Sequence, residues 1–163
     1  MNVVSFVAAS SNSGKTTLIE KVVRILKSRG LRVAVVKHAS KGFELDREGK
    51  DSWKFRRAGA DAVVLIGPGD MAVMKSIDRQ PTNDELGTII GNVDLVIQEG
   101  FKAASGEKIE VFREGVSGEQ PMCMKDSSFL ALVSDRRIDA GIPWFSLDDA
   151  GGIATFLAAK FEL

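Results

Sequence analysis

Apolar and polar residues follow two different periods along the chain, and these periods predict strands and helices in alternation. Short apolar runs such as residues 3–8 are typical of strands buried on both faces of a sheet. Residues 16–29 carry apolar side chains at three- and four-residue steps, which predicts an amphipathic helix. The pattern predicts strands at 3–8, 32–37, 61–66, 71–76, 93–98, 108–113 and 129–134, and helices at 16–29, 51–58, 82–90 and 148–161. This order predicts an α/β fold, with a mostly parallel sheet and helices on both faces.

The strands at 61–66 and 71–76 are separated by Gly67-Pro68-Gly69-Asp70, a strong turn sequence. We therefore expect an antiparallel hairpin, added to the otherwise parallel sheet. The chain has 163 residues and shows neither an internal repeat nor a linker-like tract. A single nucleotide-binding domain over residues 1–163 is the expectation from this length.

The junction between the first strand and the first helix, residues 9–17, reads Ala-Ser-Ser-Asn-Ser-Gly-Lys-Thr-Thr. It matches the phosphate-loop pattern G-x-x-x-x-G-K-[ST], except that Ala9 replaces the first glycine, so we expect a slightly altered entry to the loop. In such loops backbone N–H groups surround the phosphates, the lysine reaches the β- and γ-phosphate oxygens, and the final hydroxyl binds Mg²⁺. The predicted nucleotide-binding residues are Ser11, Asn12, Ser13, Gly14, Lys15, Thr16 and Thr17. The alternative, a serine-rich turn that contains Gly-Lys-Thr by chance, would need neither the strand before it nor the helix after it.

A phosphate-loop site needs a second acidic group, because Mg²⁺ is held by the loop hydroxyl and by a carboxylate at the end of a neighbouring strand. Glu99 is the candidate, since it ends the apolar run 93–98 at the carboxyl edge where ligands of open α/β sheets bind. Asp94 lies toward the other end of that strand and is predicted to be structural. We predict that Lys15 and Glu99 are catalytic and that Thr16 and Glu99 hold the metal.

The polar segment 38–52 follows the second predicted strand and so belongs to the same edge of the sheet. Asp46 is predicted to join the Mg²⁺ shell, directly or through water, and to act in catalysis, as in a switch segment that responds to the γ-phosphate. The alternative is a mobile loop whose charges only face solvent. His38, the single histidine, is predicted either to contact a substrate phosphate or to be a packed structural residue.

Guanine is usually recognised by a carboxylate that accepts hydrogen bonds from N1 and N2 of the base. The common guanine-binding sequence Asn-Lys-x-Asp is absent from this chain. Asp135 follows the apolar strand 129–134 and is a reasonable position for such an acid. The alternative is that Asp135 caps the following turn. Asp135 is therefore the predicted guanine-binding residue.

Composition narrows the classes of partner. Basic and acidic residues both number 22, so the net charge is zero and nucleic acid is not an expected partner. Cys123 is the single cysteine, which suits a reducing compartment, and Met122-Cys123-Met124 is predicted to be a loop or strand edge rather than a metal site. The sequence shows no apolar run of membrane-spanning length and no signal-like N-terminus. We therefore expect no membrane partner and a cytoplasmic location.

Five short blocks occur in order along the chain. They are Gly14-Lys15-Thr16-Thr17-Leu18, Val36-Lys37-His38, Asp46-x-x-Gly49-Lys50-Asp51-Ser52, Arg57-Ala58-Gly59-Ala60 and Glu99-Gly100-Phe101-Lys102. A phosphate loop alone is shared by many proteins, but the ordered combination resembles the MobB family of molybdopterin-guanine dinucleotide biosynthesis adaptor proteins. The resemblance runs to about residue 113, with Val133-Ser134-Asp135 as a further match.

The resemblance implies a homodimeric GTP-binding protein with weak GTPase activity, which takes GTP and Mg²⁺ as cofactors. It also implies that the protein assists a MobA-type molybdopterin guanylyltransferase, with molybdopterin itself as a further partner. The residues that carry over from the family are Lys15 and Thr16 as phosphate and Mg²⁺ contacts, Glu99 as the strand-end acid, and Asp46 and Asp51 as further members of the site.

Two other functions use the same loop. A small-molecule kinase would pass the γ-phosphate to a bound acceptor, with Asp46 as base and Arg56 or Arg57 as phosphate clamp, but the sequence shows no basic lid segment. A nickel-insertion GTPase usually carries histidine or cysteine clusters. One histidine with one cysteine is too few for that function. Ala39-Ser40-Lys41 stands where several members of the MobB family place further histidines, so a metal or pterin role that depends on such a histidine cluster is not expected here.

Overall fold

The computed structural model describes residues 1–163 throughout, and their contacts group them into two compact units. The first unit comprises Met1–His38 and Leu86–Leu163, and the second comprises Ala39–Glu85. The strands are β1 (Val3–Val7), β2 (Val33–Lys37), β3 (Ala62–Ile66), β4 (Met71–Lys75), β5 (Leu95–Glu99), β6 (Lys108–Phe112), β7 (Phe129–Ser134) and β8 (Trp144–Ser146). The helices are α1 (Lys15–Ser28), α2 (Asp51–Arg57), α3 (Asn83–Ile90), α4 (Ala150–Lys160) and a short 3₁₀ helix, Met122–Lys125. The single domain expected over 1–163 stays a prediction.

The first unit is built on a six-stranded sheet in the order β2-β5-β1-β6-β7-β8. All of its strand pairs are parallel, and β1 lies between β5 and β6. Because the strands are parallel, the segments that follow them leave the sheet at one edge. The predicted α/β fold with a mostly parallel sheet is confirmed.

Helices α1 and α4 pack on one face of this sheet because each presents apolar side chains to it. The buried residues of α1 recur at helical spacing, at Leu18, Val22 and Leu26. Helix α4 adds Ile153 and Leu157, and all five side chains belong to the main apolar cluster of the unit. Burying one such side chain contributes roughly 1.5–3 kcal/mol, so this layer fixes the position of α1 against the sheet.

The opposite face of β6 and β7 carries a smaller apolar cluster, closed by the 3₁₀ helix. Phe112, Cys123 and Leu132 are buried in it. Glu110 is fully buried and accepts hydrogen bonds from the backbone N–H groups of Met122 at 2.9 Å and Cys123 at 2.8 Å. A buried carboxylate with two donors is satisfied, and it anchors the turn. Met122-Cys123-Met124 therefore forms a 3₁₀ turn, not the loop or strand edge expected from the sequence.

The second unit contains α2 and the hairpin of β3 and β4. The two strands pair antiparallel, with Val64 opposite Val73, so the predicted hairpin is confirmed. It forms a two-stranded sheet of its own, and the expectation that it extends the parallel sheet is wrong. The turn at 67–70 specifies local pairing only and carries no information on which further strand the hairpin joins. Several apolar side chains of the hairpin are exposed, and Ile66 is 81% exposed.

Two differences from the predicted elements have simple physical causes. Strand β8 has no counterpart among the predictions, because three residues after Pro143 are too few to show a period. The strand predicted from residue 93 begins at Leu95, since Asp94 is bound to Arg32. Asp94 accepts the Arg32 backbone N–H at 2.7 Å and pairs with its guanidinium at 2.7 Å, and this pair lowers the pKa of Asp94 to about 2. The structural role predicted for Asp94 is confirmed.

No helix of the chain combines the length and the apolar character that crossing a bilayer requires.

Candidate functional site

The loop that follows β1 lies in the middle of the carboxyl edge of the parallel sheet and leads directly into α1. Two of its residues adopt the left-handed backbone conformation, Asn12 with φ 62° and Gly14 with φ 92°. Glycine takes this conformation without a Cβ penalty, and asparagine tolerates it better than most residues. Ala9 lies outside the positive-φ region, so alanine at the position of the first glycine needs no strained backbone.

The N-terminus of α1 is open toward the loop. Gly14 is its N-cap, no side chain caps it, and its first turn contains no acidic residue. The first N–H groups of a helix have no partner within the helix, and the helix dipole makes this end positive. The geometry is suited to an anion such as a phosphate group.

The Lys15 side chain folds back over the loop. Its Nζ lies 3.4 Å from Ser13 Oγ and 3.5 Å from the carbonyl oxygen of Ser10. Partial burial lowers the pKa of Lys15, and Glu99 acts in the opposite direction. The Lys15 side chain is therefore positioned over the loop by long contacts, which a phosphate group can replace.

Thr16 and Glu99 meet across the gap between α1 and β5. The Thr16 hydroxyl donates a hydrogen bond to Glu99 Oε1 at 2.6 Å. Glu99 is aligned with Phe6 of β1 in the sheet, and its side chain is only 12% exposed. A threonine hydroxyl and a carboxylate are the oxygen donors that Mg²⁺ prefers, and the sequence predicted these two for the metal. The structure brings them into direct contact.

Two further lysines reach this place, and the sequence prediction assigned no role to either of them. Lys37, at the end of β2, is paired in register with Glu99, and its Nζ lies 3.3 Å from Glu99 Oε2. Lys102, three residues beyond Glu99, donates a hydrogen bond to the Ala9 carbonyl oxygen at 2.5 Å. The only signal in the sequence is that both belong to the short blocks Val36-Lys37-His38 and Glu99–Lys102. Lys37 thus pairs with the Glu99 carboxylate, while Lys15 and Lys102 contact the phosphate loop itself.

The turn after β5 is shaped by a glycine and a buried phenylalanine. Gly100 has φ 94°, a conformation that side-chain-bearing residues rarely adopt. Phe101 is buried, and its ring centroid lies 5.4 Å from that of His38. The His38 backbone N–H also donates to the Glu99 carbonyl oxygen at 3.0 Å. Of the two roles expected for His38, the structure shows the packing contact.

Asp135 lies in the loop that follows β7 at the same edge of the sheet. Its Oδ1 accepts the backbone N–H of Glu114 at 3.1 Å, and the Glu114 carboxylate pairs with Arg136 at 3.1 Å. The neighbouring Val116 carbonyl accepts a hydrogen bond from the Ser10 hydroxyl at 2.6 Å. Asp135 therefore ties together two loops, one of which also contacts the start of the phosphate loop. Its contact with guanine stays a prediction.

Asp46 belongs to the second unit, where it organises the segment that precedes α2. Its Oδ1 accepts hydrogen bonds from the Ser52 hydroxyl at 2.8 Å and from the Arg47 backbone N–H at 3.0 Å. Its Oδ2 is buried and has no hydrogen-bond partner. Asp51 pairs with Lys54 at 3.1 Å on the surface of α2. The metal and catalytic roles of Asp46 stay predictions.

The parallel sheet, the loop after its central strand and the helix that follows define a P-loop NTPase fold. The same fold is found in solved structures. A crystal structure of molybdopterin-guanine biosynthesis protein B (mobB) matches with a TM-score of 0.74 at 32% identity, over 97% of this chain and 99% of that one. The crystal structure of Bacillus subtilis MobB matches with a TM-score of 0.74 at 25% identity, over 97% of each chain.

Sequence comparison identifies the family within this class. The family model described as molybdopterin guanine dinucleotide synthesis protein B matches residues 3–135. The molybdopterin-guanine dinucleotide biosynthesis adapter protein of Escherichia coli K12 is 31% identical over 156 residues, which cover 92% of this chain and 88% of that protein. The adapter protein of Haemophilus influenzae is 32% identical over 149 residues, covering 90% and 83%. The chain belongs to the MobB family.

Proposed function

We propose that this protein binds GTP with Mg²⁺ in the loop at residues 9–17 and acts as an adapter in the synthesis of molybdopterin-guanine dinucleotide. The observation that carries the proposal is the contact of 2.6 Å between the Thr16 hydroxyl and the Glu99 carboxylate, beside the ammonium group of Lys15. A hydroxyl, a strand-end acid and a lysine are the three side chains that a Mg²⁺-triphosphate requires at a phosphate loop. The relatives from Escherichia coli and Haemophilus influenzae are adapter proteins of this biosynthesis by name, which supports the adapter role.

In this proposal the backbone N–H groups of the loop and Lys15 bind the β- and γ-phosphates. Thr16 and Glu99 hold Mg²⁺, and Asp46 joins its shell directly or through water. Buried polar atoms are normally hydrogen-bonded, and Oδ2 of Asp46 has no such partner. This oxygen is therefore able to accept a bond from a metal ion or from a water molecule bound to it. At the base, Asp135 exchanges the Glu114 N–H for the N1 and N2 groups of guanine.

We further propose that hydrolysis is slow. Fast GTPases orient the attacking water with a glutamine and stabilise the transition state with an arginine. Gln98 precedes Glu99, but it is buried in the sheet, where its side-chain oxygen accepts the Ser5 hydroxyl at 2.9 Å. The nitrogen donors around the loop are lysines. The protein is then an accessory GTP-binding protein of the cytoplasm that assists a MobA-type guanylyltransferase and contacts its molybdopterin.

We propose a homodimer that forms through the hairpin of the second unit. Val64, Leu65, Ile66, Met71 and Val73 are all exposed on two short strands. An exposed apolar sheet of this kind is typical of a surface that another chain covers. Replacing Ile66 by aspartate should convert a dimer to a monomer in sedimentation, whereas a wild-type protein that sediments as a monomer would contradict the dimer.

The adapter function is tested by reconstitution. A molybdopterin guanylyltransferase is assayed for dinucleotide formation from GTP and molybdopterin, with no addition, with the wild-type protein and with the Lys15→Ala variant. The proposal expects wild-type protein to raise product formation and the variant to lose that effect. Tight ATP binding with phosphoryl transfer to a metabolite would contradict it and would favour the small-molecule kinase.

A further inference from the structure

Lys102 contacts the phosphate loop, a contact that the sequence block Glu99–Lys102 does not predict. Its ammonium group donates to the carbonyl oxygen of Ala9, the first residue of the phosphate loop, at 2.5 Å. The Lys15 ammonium lies 3.5 Å from the carbonyl oxygen of the next residue, Ser10. Two ammonium groups from different parts of the chain therefore bind adjacent carbonyls at the same end of the loop.

The position of Lys102 is fixed by the turn that carries it. Its backbone N–H donates to the Gly100 carbonyl oxygen at 2.8 Å, and the N–H of Gly100 donates to the Phe6 carbonyl oxygen in β1. Phe101, between them, is buried against His38. These contacts fix the backbone from which the Lys102 side chain extends toward the phosphate loop.

Positive charges exceed negative charges around the loop. Lys15, Lys37 and Lys102 contribute three positive charges, and Glu99 contributes the opposing carboxylate. The three ammonium groups carry like charge and therefore repel one another. The open N-terminus of α1 adds further positive potential. Such a cluster is stabilised by a polyanion with more charge than Glu99 offers.

We propose that Lys102 is a second phosphate-binding lysine, whose ammonium leaves the Ala9 carbonyl and contacts the γ-phosphate when a nucleoside triphosphate binds. The inference rests on the proposed function and deepens it. In phosphate loops the motif lysine binds the β- and γ-phosphates, and here Lys102 lies at the end of the loop to which that lysine folds back. Lys102 then separates GTP from GDP, because a diphosphate offers it no γ-phosphate.

The test compares two nucleotides on the full chain. Binding of a non-hydrolysable GTP analogue and of GDP, each with Mg²⁺, is measured by calorimetry for wild type, Lys102→Met and Lys102→Arg. Loss of one charge-assisted hydrogen bond predicts that Lys102→Met weakens the GTP analogue roughly tenfold or more and GDP less than about twofold. Arginine keeps the charge and should restore part of the preference. Lys27→Met removes a lysine from the far end of α1 and should change neither affinity.

Equal weakening of both nucleotides by Lys102→Met would overturn the proposal, because Lys102 would then only clamp the loop. Unchanged affinity for both would also overturn it. Failure of the proposed function looks different, since wild type itself would then bind neither nucleotide. Thermal unfolding of each variant checks the fold, and Lys102→Gln provides a second neutral variant if the methionine variant unfolds.

Discussion

Replacement of Thr16 by alanine separates the binding role of this residue from its contribution to stability. The Thr16 hydroxyl donates a hydrogen bond of 2.6 Å to Glu99, and the residue is exposed. Loss of a hydrogen bond to a charged group costs about 1.5–3 kcal/mol when it is well protected, and less at an exposed site. Alanine regains a few tenths of a kcal/mol through its higher helix propensity in the first turn of α1. We therefore expect the free energy of unfolding to fall by about 1 kcal/mol or less.

The effect on Mg²⁺-dependent binding should be much larger. Changes in the groups that support a metal ligand typically cost 10–100-fold in metal affinity, so removal of the hydroxyl itself should cost at least about tenfold. The assay is calorimetric titration of GTP with and without Mg²⁺. In wild type Mg²⁺ should tighten GTP binding, and in Thr16→Ala this enhancement should largely disappear.

Two further variants make the outcome specific. Thr16→Ser keeps the hydroxyl and should keep the Mg²⁺ effect, and Thr155→Ala removes an exposed threonine from α4 and should change nothing in binding. A Thr16→Ala protein that retains the full Mg²⁺ enhancement would refute the assignment of Thr16 and Glu99 to the metal.

Three other predictions follow from contacts outside the loop. Glu110→Ala should lower the free energy of unfolding by about 2–4 kcal/mol in denaturant titration, because it leaves two backbone N–H groups of the 3₁₀ helix without their acceptor. Glu114→Ala, at an exposed position, is the matched control. Equal destabilisation by the two variants would contradict the anchoring role of Glu110. Burial raises the pKa of the Cys123 thiol to about 12, so native protein at pH 8 should react with a thiol reagent far more slowly than unfolded protein, and equal rates would contradict its burial. The ion pair with Arg32 lowers the pKa of Asp94 from 3.8 to about 2. The pair therefore stabilises the fold above about pH 4, and this stabilisation is lost as the pH falls toward 2. Asp94→Asn should remove that part of the acid dependence of unfolding, and an unchanged acid dependence would count against the pair.

The sequence predicts the elements well wherever the period of apolar residues is long or the flanking chemistry is strong. The strand, loop and helix around residues 9–17 form as expected, and the apolar spacing of α1 appears as its buried face. The pairing of Thr16 with Glu99 was predictable because both follow from one known chemistry, a hydroxyl and a strand-end acid around Mg²⁺. Strand β8 could not be predicted, because three residues are too few to show an alternation of apolar and polar side chains.

The convergence of lysines could not be read from the sequence. Lys37 and Lys102 are 65 positions apart in the sequence. Lys37 contacts Glu99 and Lys102 contacts Ala9 because β2, β5 and β1 are neighbours in the sheet. Strand order is a property of tertiary packing, and local patterns do not specify it. The separate sheet of the hairpin has the same origin, because pairing within the hairpin is local and pairing to another strand is not.

The measurement that tests the central claim most directly is a calorimetric titration of the wild-type chain and of Lys15→Ala with GTP and with ATP, each with Mg²⁺. The account predicts that wild type binds GTP in preference to ATP and that Lys15→Ala loses GTP binding, while Lys27→Met binds as wild type does. Normal GTP binding by Lys15→Ala, or a preference of wild type for ATP, would contradict it.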